Sequence, residues 1–172
     1  MTTFAGIDPG ALGAIALYAP ADGALTIFDM PVFEILTGKK KRKRIDIYAL
    51  ARFFDLHASS IALVAIEDVH AMPGQGVTSM FSFGRALGVA EMAVAAHQVP
   101  IEYIAARKWK GAFGLDDDKE KSRLVATRLL PRHADQWAVV RGVRDKERAA
   151  GRAEAALLAM FAHRIAQERK IV

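Results

Sequence analysis

The feature that most constrains the fold is an unbroken apolar run at residues 61–66, Ile-Ala-Leu-Val-Ala-Ile. A strand with an apolar side chain at every position has to be covered on both faces, which is typical of a central strand in a parallel or mixed sheet. Glu67 and Asp68 follow the run directly. The chain is therefore predicted to bury this strand and to place an acid at the sheet edge where the strand ends.

A second apolar segment, at residues 4–7, also ends in an acid, Asp8. Pro9 and Gly10 stop this strand and turn the chain, and residues 14–18 are strand-like again. The pattern predicts a hairpin whose first strand carries Asp8 to one end of the sheet. An Asp in a turn can also cap its own backbone, so this stretch alone leaves a structural and a functional role open.

The remaining pattern predicts an α/β fold. A turn at Asp22-Gly23 precedes a third strand at residues 24–30, so the first three strands form an antiparallel meander. The other predicted elements are helices at 47–57, 78–97 (N-cap Thr78 or Ser79), 116–130 and 150–167, a strand at 100–104, and a loop with a short helical piece at 133–150. Together they form a mixed five-stranded sheet, with three antiparallel strands plus parallel strands, flanked by helices.

Composition narrows the possible chemistry. The chain has 172 residues, enough for one domain (1–172) with a substantial core, and it has no cysteine. Disulfides, thiolate zinc sites and a cysteine nucleophile are excluded, which is compatible with a reducing cytosol. No apolar run is long enough to span a bilayer, and the N-terminus lacks the features of a signal peptide. The formal net charge of +5 favours polyanionic partners.

The most basic segment contains six consecutive cations. They are Lys39, Lys40, Lys41, Arg42, Lys43 and Arg44. Such a run is interpreted as a solvated loop, as a nuclear targeting signal, or as a loop that grips phosphates. We favour the last interpretation, because the run lies inside the fold and close in sequence to the hairpin that carries Asp8.

Two further segments leave alternatives open. Residues 107–110, Arg-Lys-Trp-Lys, combine cations with an aromatic ring, which suits a phosphate backbone and a base. A Trp that fills the edge of the core explains Trp109 equally well. The helix predicted at 78–97 is apolar on most sides and contains Gly84 and Gly88. It is either central to the core or shared with a second subunit.

Three acids occupy comparable positions, since Asp8 and Glu67 end strands and Glu154 lies in the first turns of the last predicted helix. Glu154 can simply oppose the helix dipole. If the two strands are neighbours, however, their carboxylates meet, and the last helix can add Glu154. Clustered carboxylates repel one another unless a cation neutralises them, and such oxygen ligands select Mg²⁺ or Mn²⁺. Two such ions about 4 Å apart can drive phosphodiester hydrolysis.

At these positions the sequence resembles a known family. The matching segments are Gly6-Ile7-Asp8-Pro9-Gly10, Ala65-Ile66-Glu67-Asp68 and Gly151-Arg152-Ala153-Glu154-Ala155. In order, they resemble the acid motifs of RuvC-type Holliday junction resolvases, especially the small phage and bacterial members. The resemblance implies a ribonuclease H-like fold, a homodimer, and paired nicks across a four-way DNA junction in the cytoplasm of a bacterial or phage-infected cell.

The resemblance also implies roles for individual residues. Asp8, Glu67 and Glu154 would be catalytic acids that bind Mg²⁺ or Mn²⁺. The loop after Glu67 and the start of the following helix would face the crossover of the junction. By the resemblance, Lys108, Lys110 and Lys119 would contact DNA. Arg152 and the basic run at 39–44 are further candidates for DNA contacts.

One position departs from the family pattern. The family usually has another Asp one helical turn before the last acid, where this chain has Ala150 and Gly151, with Asp145 and Glu147 further upstream. Impaired cleavage is therefore predicted, and a junction-binding protein that no longer cuts is an alternative. A second alternative is the actin-like ATPase and sugar kinase group. That fold requires a matching second half and a Gly-rich adenosine site, for which this chain is too short.

Overall fold

The structure, a computed structural model, describes residues 1–38, 40–70, 74, 76–116, 118–139 and 142–170. The strands are β1 (Thr3–Ile7), β2 (Ala14–Ala19), β3 (Ala24–Asp29), β4 (Val32–Thr37), β5 (Lys40–Ile45), β6 (Ile61–Asp68) and β7 (Ile101–Ala105). The α-helices are α1 (Ile47–His57), α2 (Val77–Ala96), α3 (Ala106–Ala112), α4 (Lys119–Leu129) and α5 (Gly142–Glu168). Short 3₁₀ turns occupy Ala58–Ser60 and Pro131–Trp137.

The central sheet has five strands in the order β3-β2-β1-β6-β7. Strands β1, β2 and β3 are antiparallel, whereas β6 pairs in parallel with β1 and with β7. The predicted mixed sheet with an antiparallel meander is thus confirmed. In the register of β1 and β6, Ile7 lies opposite Ile66. The next residues along these neighbouring strands are Asp8 and Glu67, so both acids leave the sheet at the same edge.

Strand β6 is covered on both faces, as its continuous apolarity predicts. Leu63 and Ala65 belong to a core that includes α5, whereas Val64 and Ile66 belong to a core that includes α1 and α2. Burial on two faces removes apolar side chains from water, which stabilises the fold by roughly 25 cal/mol for each Å² of apolar surface buried. The strand is therefore held rigidly, which fixes where it delivers Glu67.

Helix α5 packs unusually close to β1. A Cβ on Gly6 would collide with the carbonyl oxygen of Ala155 and the amide nitrogen of Ala159. The buried positions of the helix near this contact are mostly alanine, including Ala156 and Ala162. Small residues on both elements allow the backbone of α5 to lie directly on the sheet, and this contact sets the position of Glu154.

The basic run does not form the predicted loop. Strand β5 pairs with β4 in a separate two-stranded antiparallel sheet, in which Glu34 lies opposite Lys43. Lys41 also forms an ion pair with Glu34, at 3.2 Å. The loop prediction was wrong because an exposed hairpin tolerates cations at most positions of a strand, so no apolar alternation is present to reveal it. Lys39 lies outside the described residues.

Two helix starts also differ from the predictions. Helix α5 begins at Gly142, so the loop predicted across residues 142–149 is helical and Glu154 is in mid-helix rather than in the first turns. Asp145, Lys146 and Glu147 are exposed there, and an exposed turn of charged residues shows no amphipathic pattern although Arg, Lys and Glu favour helix. Helix α2 has Gly76 as its N-cap, rather than Thr78 or Ser79.

Other helix predictions are confirmed. Helix α1 has the predicted bounds, with Asp46 as its N-cap. Helix α4 starts after Asp118, whose carboxylate accepts a hydrogen bond from the Glu120 amide at 2.9 Å. Asp117, part of the same predicted acidic start, lies outside the described residues. Within the described part of the chain, no helix has the length and apolarity needed to cross a membrane.

Candidate active site

Asp8 is held by a tight turn between β1 and β2. Its amide donates to the carbonyl oxygen of Ala14 at 3.0 Å, and the Gly10 amide donates to Asp8 Oδ1 at 3.4 Å. A Cβ on Gly13 would collide with the Asp8 carbonyl oxygen and lie 2.8 Å from Asp8 Cγ. Gly13 is therefore required for this turn, and the turn fixes the direction of the Asp8 carboxylate.

The electrostatics of Asp8 show that the three predicted acids share one region. Burial raises the pKa of Asp8 to about 7, with further upward contributions from the charges of Glu154 and Glu67. The Gly10 amide and the charge of Lys119 lower the same pKa. An acid in this environment resists ionisation unless positive charge is supplied. The arrangement favours a bound cation.

Glu67 and Glu154 are each held by a different buried side chain. Trp109 Nε1 donates to Glu67 Oε2 at 3.2 Å, and Ser122 Oγ donates to Glu154 Oε1 at 3.2 Å. Both donors are fully buried, and Ser122 is the one buried polar side chain found among the described residues. These donors restrict the orientation of the two carboxylates.

The sequence interpretation missed these two donors. Trp109 is fully buried, so the structure supports the interpretation that it fills the core. Its indole N–H also donates a hydrogen bond to Glu67. Ser122 shares the buried face of α4 with Ala126. A polar residue on an apolar helix stripe was the available signal, because a buried hydroxyl needs a partner.

Gly151 lies against Asp8. A Cβ on Gly151 would be 2.8 Å from Asp8 Oδ2, 2.8 Å from the Leu12 carbonyl oxygen and 3.0 Å from Gly13 Cα. An acidic side chain at position 151 would therefore collide with the site. Ala150 is 1% exposed and lies four residues before Glu154, on the same helix face. Position 150 is the remaining candidate for the missing acid.

The donor set fits a hard divalent cation, since it consists of carboxylate oxygens. The side chains are not preassembled, however. Within the part of the chain that the structure describes, no three His, Cys, Asp or Glu side chains are grouped closely enough to hold a metal ion. The hydrogen bonds from Trp109 and Ser122 each hold one of the acids.

The predicted DNA-contacting cations fall into two groups. Lys119 is the first residue of α4 and acts electrostatically on Asp8. Lys108 and Lys110 flank Trp109 on α3, with Lys110 Nζ 5.8 Å from the centre of the Trp109 ring. These lysines lie on the two helices that also carry Trp109 and Ser122. Arg152 differs, because it is bound within the fold.

The guanidinium of Arg152 binds three acceptors. Its Nε and Nη2 donate to the two Asp29 carboxylate oxygens at 2.6 and 2.8 Å, and Nη1 donates to the Gln136 carbonyl oxygen at 2.9 Å. A planar guanidinium and a carboxylate form such a bidentate pair with well-defined geometry. Arg152 therefore joins α5 to β3 and to the turn before Ala138.

An accessible cavity lies next to Glu67. A cavity of about 680 Å³ is lined by residues from β6, α2 and the start of α3. Its walls include Glu67, Asp68, His70, Phe83 and Ala105. Glu67 thus faces an accessible space and not only the core.

Comparison with known proteins finds a relative in sequence and several related structures. No family model matches the chain. The crossover junction endodeoxyribonuclease RuvC of Nitratidesulfovibrio vulgaris is 36% identical over 101 residues, which are 58% of this chain and 58% of that protein. The match thus spans less than two thirds of the relative's length.

The structural similarity covers nearly the whole chain. T. thermophilus RuvC in complex with a Holliday junction substrate superimposes with a TM-score of 0.61 at 15% identity, covering 99% of this chain and 98% of that one. A second Thermus thermophilus RuvC structure has a TM-score of 0.51 at 18% identity, with coverage of 95% and 96%. The chain therefore has the fold of these RuvC structures, and its predicted resemblance to RuvC proteins is confirmed.

Proposed function

We propose that this chain binds four-way DNA junctions and nicks them by metal-dependent phosphodiester hydrolysis. The observation that carries the proposal is the position of Asp8 and Glu67 at the ends of neighbouring parallel strands, with Glu154 near enough to raise the pKa of Asp8. The RuvC relative is a crossover junction endodeoxyribonuclease, and one RuvC structure holds a Holliday junction substrate. These relatives favour a junction nuclease over the actin-like alternative.

Asp8, Glu67 and Glu154 are the residues we propose as ligands of Mg²⁺ or Mn²⁺. A bound divalent ion, or a pair of them, supplies an activated water and stabilises the leaving oxygen. The chain itself orients the ligands, since Trp109 donates a hydrogen bond to a carboxylate oxygen of Glu67 and Ser122 donates one to a carboxylate oxygen of Glu154. Lys119 adds positive charge beside Asp8, which favours the approach of a phosphate.

We propose that DNA is held by cations on two sides of the acids. In this proposal Lys108, Lys110 and Lys119, on α3 and at the start of α4, form one set, and the basic hairpin of β4 and β5 forms the other. Each phosphate contact contributes non-specific, salt-dependent affinity. Arg152 is left out of this set, because Asp29 and Gln136 already bind its guanidinium.

We also propose that the working form is a homodimer built on α2. The outward face of this helix carries Val77, Phe81, Gly84, Gly88 and Met92 at helical spacing, and Val77, Phe81 and Met92 are 79%, 72% and 63% exposed. A Cβ on Gly84 or on Gly88 would meet nothing within 4 Å. An isologous pair of such faces gives two sites related by a two-fold axis, which suits paired nicks in a two-fold symmetric junction.

A second candidate function is binding without cleavage. It is favoured by Ala150 and Gly151, which stand at the two candidate positions for the acid of the family pattern. A missing carboxylate removes repulsion against phosphate, so junction affinity would be kept while cleavage in Mg²⁺ would be weak. Mn²⁺, which tolerates less regular coordination, would support more activity.

A nicking assay distinguishes the two functions. Labelled four-way junction and linear duplex are incubated with the unaltered chain and with Ala150→Asp, in Mg²⁺ and in Mn²⁺. The proposal expects selective nicking of the junction, with the Ala150→Asp chain faster in Mg²⁺. Junction binding with no nicking by either chain in Mn²⁺ would establish the binding protein instead. Equal nicking of junction and duplex would contradict junction selectivity.

A further inference from the structure

A groove separates the basic hairpin from helix α2. Its volume is about 290 Å³, at the lower end of the range typical of ligand sites, about 300–1,000 Å³. Apolar side chains line it from both elements, including Ile35 and Ile45 of the hairpin and Phe83 of α2. Arginines line it as well, namely Arg42, Arg44 and Arg85.

The charge of this groove has one sign. Among its lining residues within the described part of the chain, none is acidic. Glu34, on the same hairpin, is paired with Lys41, which is not a lining residue. No ion pair found among the described residues includes Arg42, Arg44 or Arg85. Three guanidinium groups beside an apolar surface suit a ligand that is both anionic and apolar.

The groove is continuous with the acid site. Ala11, in the turn that follows Asp8, lines the groove, while Ser79 and Phe83 line both the groove and the cavity beside Glu67. Phe83 Cε2 lies 3.9 Å from the position of a Cβ on Gly10, whose amide binds Asp8. A strand whose phosphate reaches Asp8 and Glu67 would therefore have its neighbouring nucleotide at the mouth of the groove.

We propose that the groove between the β4–β5 hairpin and α2 binds one unstacked nucleotide of a DNA strand. The base packs against Phe83 and the apolar residues of the hairpin, and the arginines bind its phosphates. An aromatic platform combined with cations is the usual way proteins hold unpaired nucleotides, and arginine matches phosphate geometry with two parallel hydrogen bonds. The inference rests on the proposed function and adds a site for a base displaced next to the cut phosphate.

The test uses the full chain in EDTA, so that no strand is cut. Four-way junctions carry 2-aminopurine, a fluorescent base that brightens when it leaves the stack, at successive positions near the crossover. We expect one position to brighten when the unaltered chain binds, and Phe83→Leu to abolish most of that rise. In parallel, the Kd for a short oligothymidine, measured by fluorescence anisotropy, should increase at least about fivefold in Phe83→Leu.

A second variant and a matched control keep the test valid even if Phe83→Leu impairs folding. The double variant Arg42→Gln/Arg85→Gln should weaken oligothymidine binding, whereas Arg128→Gln, an exposed arginine of α4, should leave it unchanged. Unchanged fluorescence and unchanged oligothymidine affinity in both groove variants would overturn the inference. Conversion of a dimer to a monomer by Phe83→Leu, with oligothymidine affinity retained, would overturn it too, because a second copy would then occupy the groove.

These outcomes are separate from those of the proposed function. If the unaltered chain shows no preference for a four-way junction over linear duplex, the proposed function fails. If junctions are preferred and nicked but both groove variants behave as the unaltered chain does, the proposed function stands and the nucleotide site is rejected.

Discussion

Gly151 lies directly beneath the carboxylate of Asp8: a Cβ at position 151 would be 2.8 Å from Asp8 Oδ2. Helix α5 can therefore pass under the β1–β2 turn only because it has no side chain at this point. The same helix then carries Glu154, one turn later, toward Asp8. This contact links the first acid motif to the last, across most of the length of the chain.

Gly151→Ala should lower stability although alanine favours helix. An added methyl would push into Asp8 and the Leu12 carbonyl oxygen, and overpacking of this kind costs about 1–3 kcal/mol. Gly111→Ala is the matched control, since a Cβ at Gly111 in α3 meets nothing within 4 Å and should gain up to about 1 kcal/mol. Urea denaturation measures both. A Gly151→Ala chain as stable as Gly111→Ala would contradict the close contact.

The raised pKa of Asp8 predicts a pH-dependent stability in EDTA. Between about pH 4 and its folded-state pKa of about 7, the folded chain holds a proton that the unfolded chain has lost, so stability falls as the pH rises. Asp8→Asn, which cannot ionise, should be more stable than the unaltered chain at pH 8 by up to about 4 kcal/mol. The advantage should disappear near pH 4.

Thermal denaturation at several pH values tests this prediction, with Asp135→Asn, an exposed acid, as the control that gains nothing. Added Mn²⁺ should reverse the order at pH 8, because it stabilises the ionised form of Asp8. A parallel pH profile for Asp8→Asn and the unaltered chain in EDTA would show that Asp8 is not destabilised in the folded protein.

Two buried tryptophans provide a matched test of the Glu67 hydrogen bond. Trp109→Phe removes the donor to Glu67, whereas Trp137→Phe removes a similar donor to Thr127 Oγ1, at 2.9 Å, away from the acids. Both changes should lower stability by similar amounts, because each removes one hydrogen bond, worth about 0.5–1.5 kcal/mol, and leaves a cavity where the larger ring was buried. Only Trp109→Phe should also weaken Mn²⁺ binding, by about 10-fold or more, because donors that orient ligands tune metal affinity.

Isothermal titration with Mn²⁺ measures this difference. Ser122→Ala, which frees Glu154, should resemble Trp109→Phe and not Trp137→Phe. If both tryptophan variants bind Mn²⁺ equally well, Glu67 needs no orientation by Trp109.

The proposed DNA contacts predict a change in salt dependence. Lys108→Gln should lower junction affinity and reduce the slope of log K against log salt by about 0.9, because one phosphate contact fewer releases fewer counterions. Arg44→Gln should act similarly if the hairpin holds DNA. Arg128→Gln, on the exposed side of α4, is the control with an unchanged slope. Affinities measured over a salt series would contradict the assignment if all three slopes equal that of the unaltered chain.

The outward face of α2 predicts the oligomeric state. Met92→Glu should convert a dimer to a monomer at micromolar concentration, since a charge would be buried in the interface without a partner. Leu56→Glu is the control, because Leu56 is 77% exposed on α1 and lies on a different helix. Sedimentation measures both. If the unaltered chain is monomeric and still makes paired nicks, the proposed dimer is contradicted.

Much of the fold could be predicted from local sequence patterns. The apolar runs of β1 and β6, each closed by an acid, predicted two buried strands that deliver Asp8 and Glu67 to one sheet edge, and the register of Ile7 with Ile66 confirms it. The bounds of helix α1 agree with the prediction, because its apolar spacing is a local signal. Where local preference and burial agree, one sequence is enough.

Exposed elements were the ones that local pattern misassigned. The cationic strand β5 and the charged first turns of α5 have no buried face along the misassigned stretch, so hydrophobic periodicity carries no information about them. Backbone pairing with β4 determines the conformation of β5. The first turns of α5 are helical because they continue the helix that packs on β1.

The details of the site depend on contacts between residues far apart in sequence. The sequence by itself determined which carboxylates are available, namely Asp8, Glu67 and Glu154. Only the tertiary structure decided that Trp109 and Ser122 hold two of them, that Gly151 makes room for the third, and that Arg152 is bound within the fold by Asp29. The physical reason is that a hydrogen bond or a steric contact depends on the packing of α3, α4 and α5 against the sheet, and no local pattern records that packing.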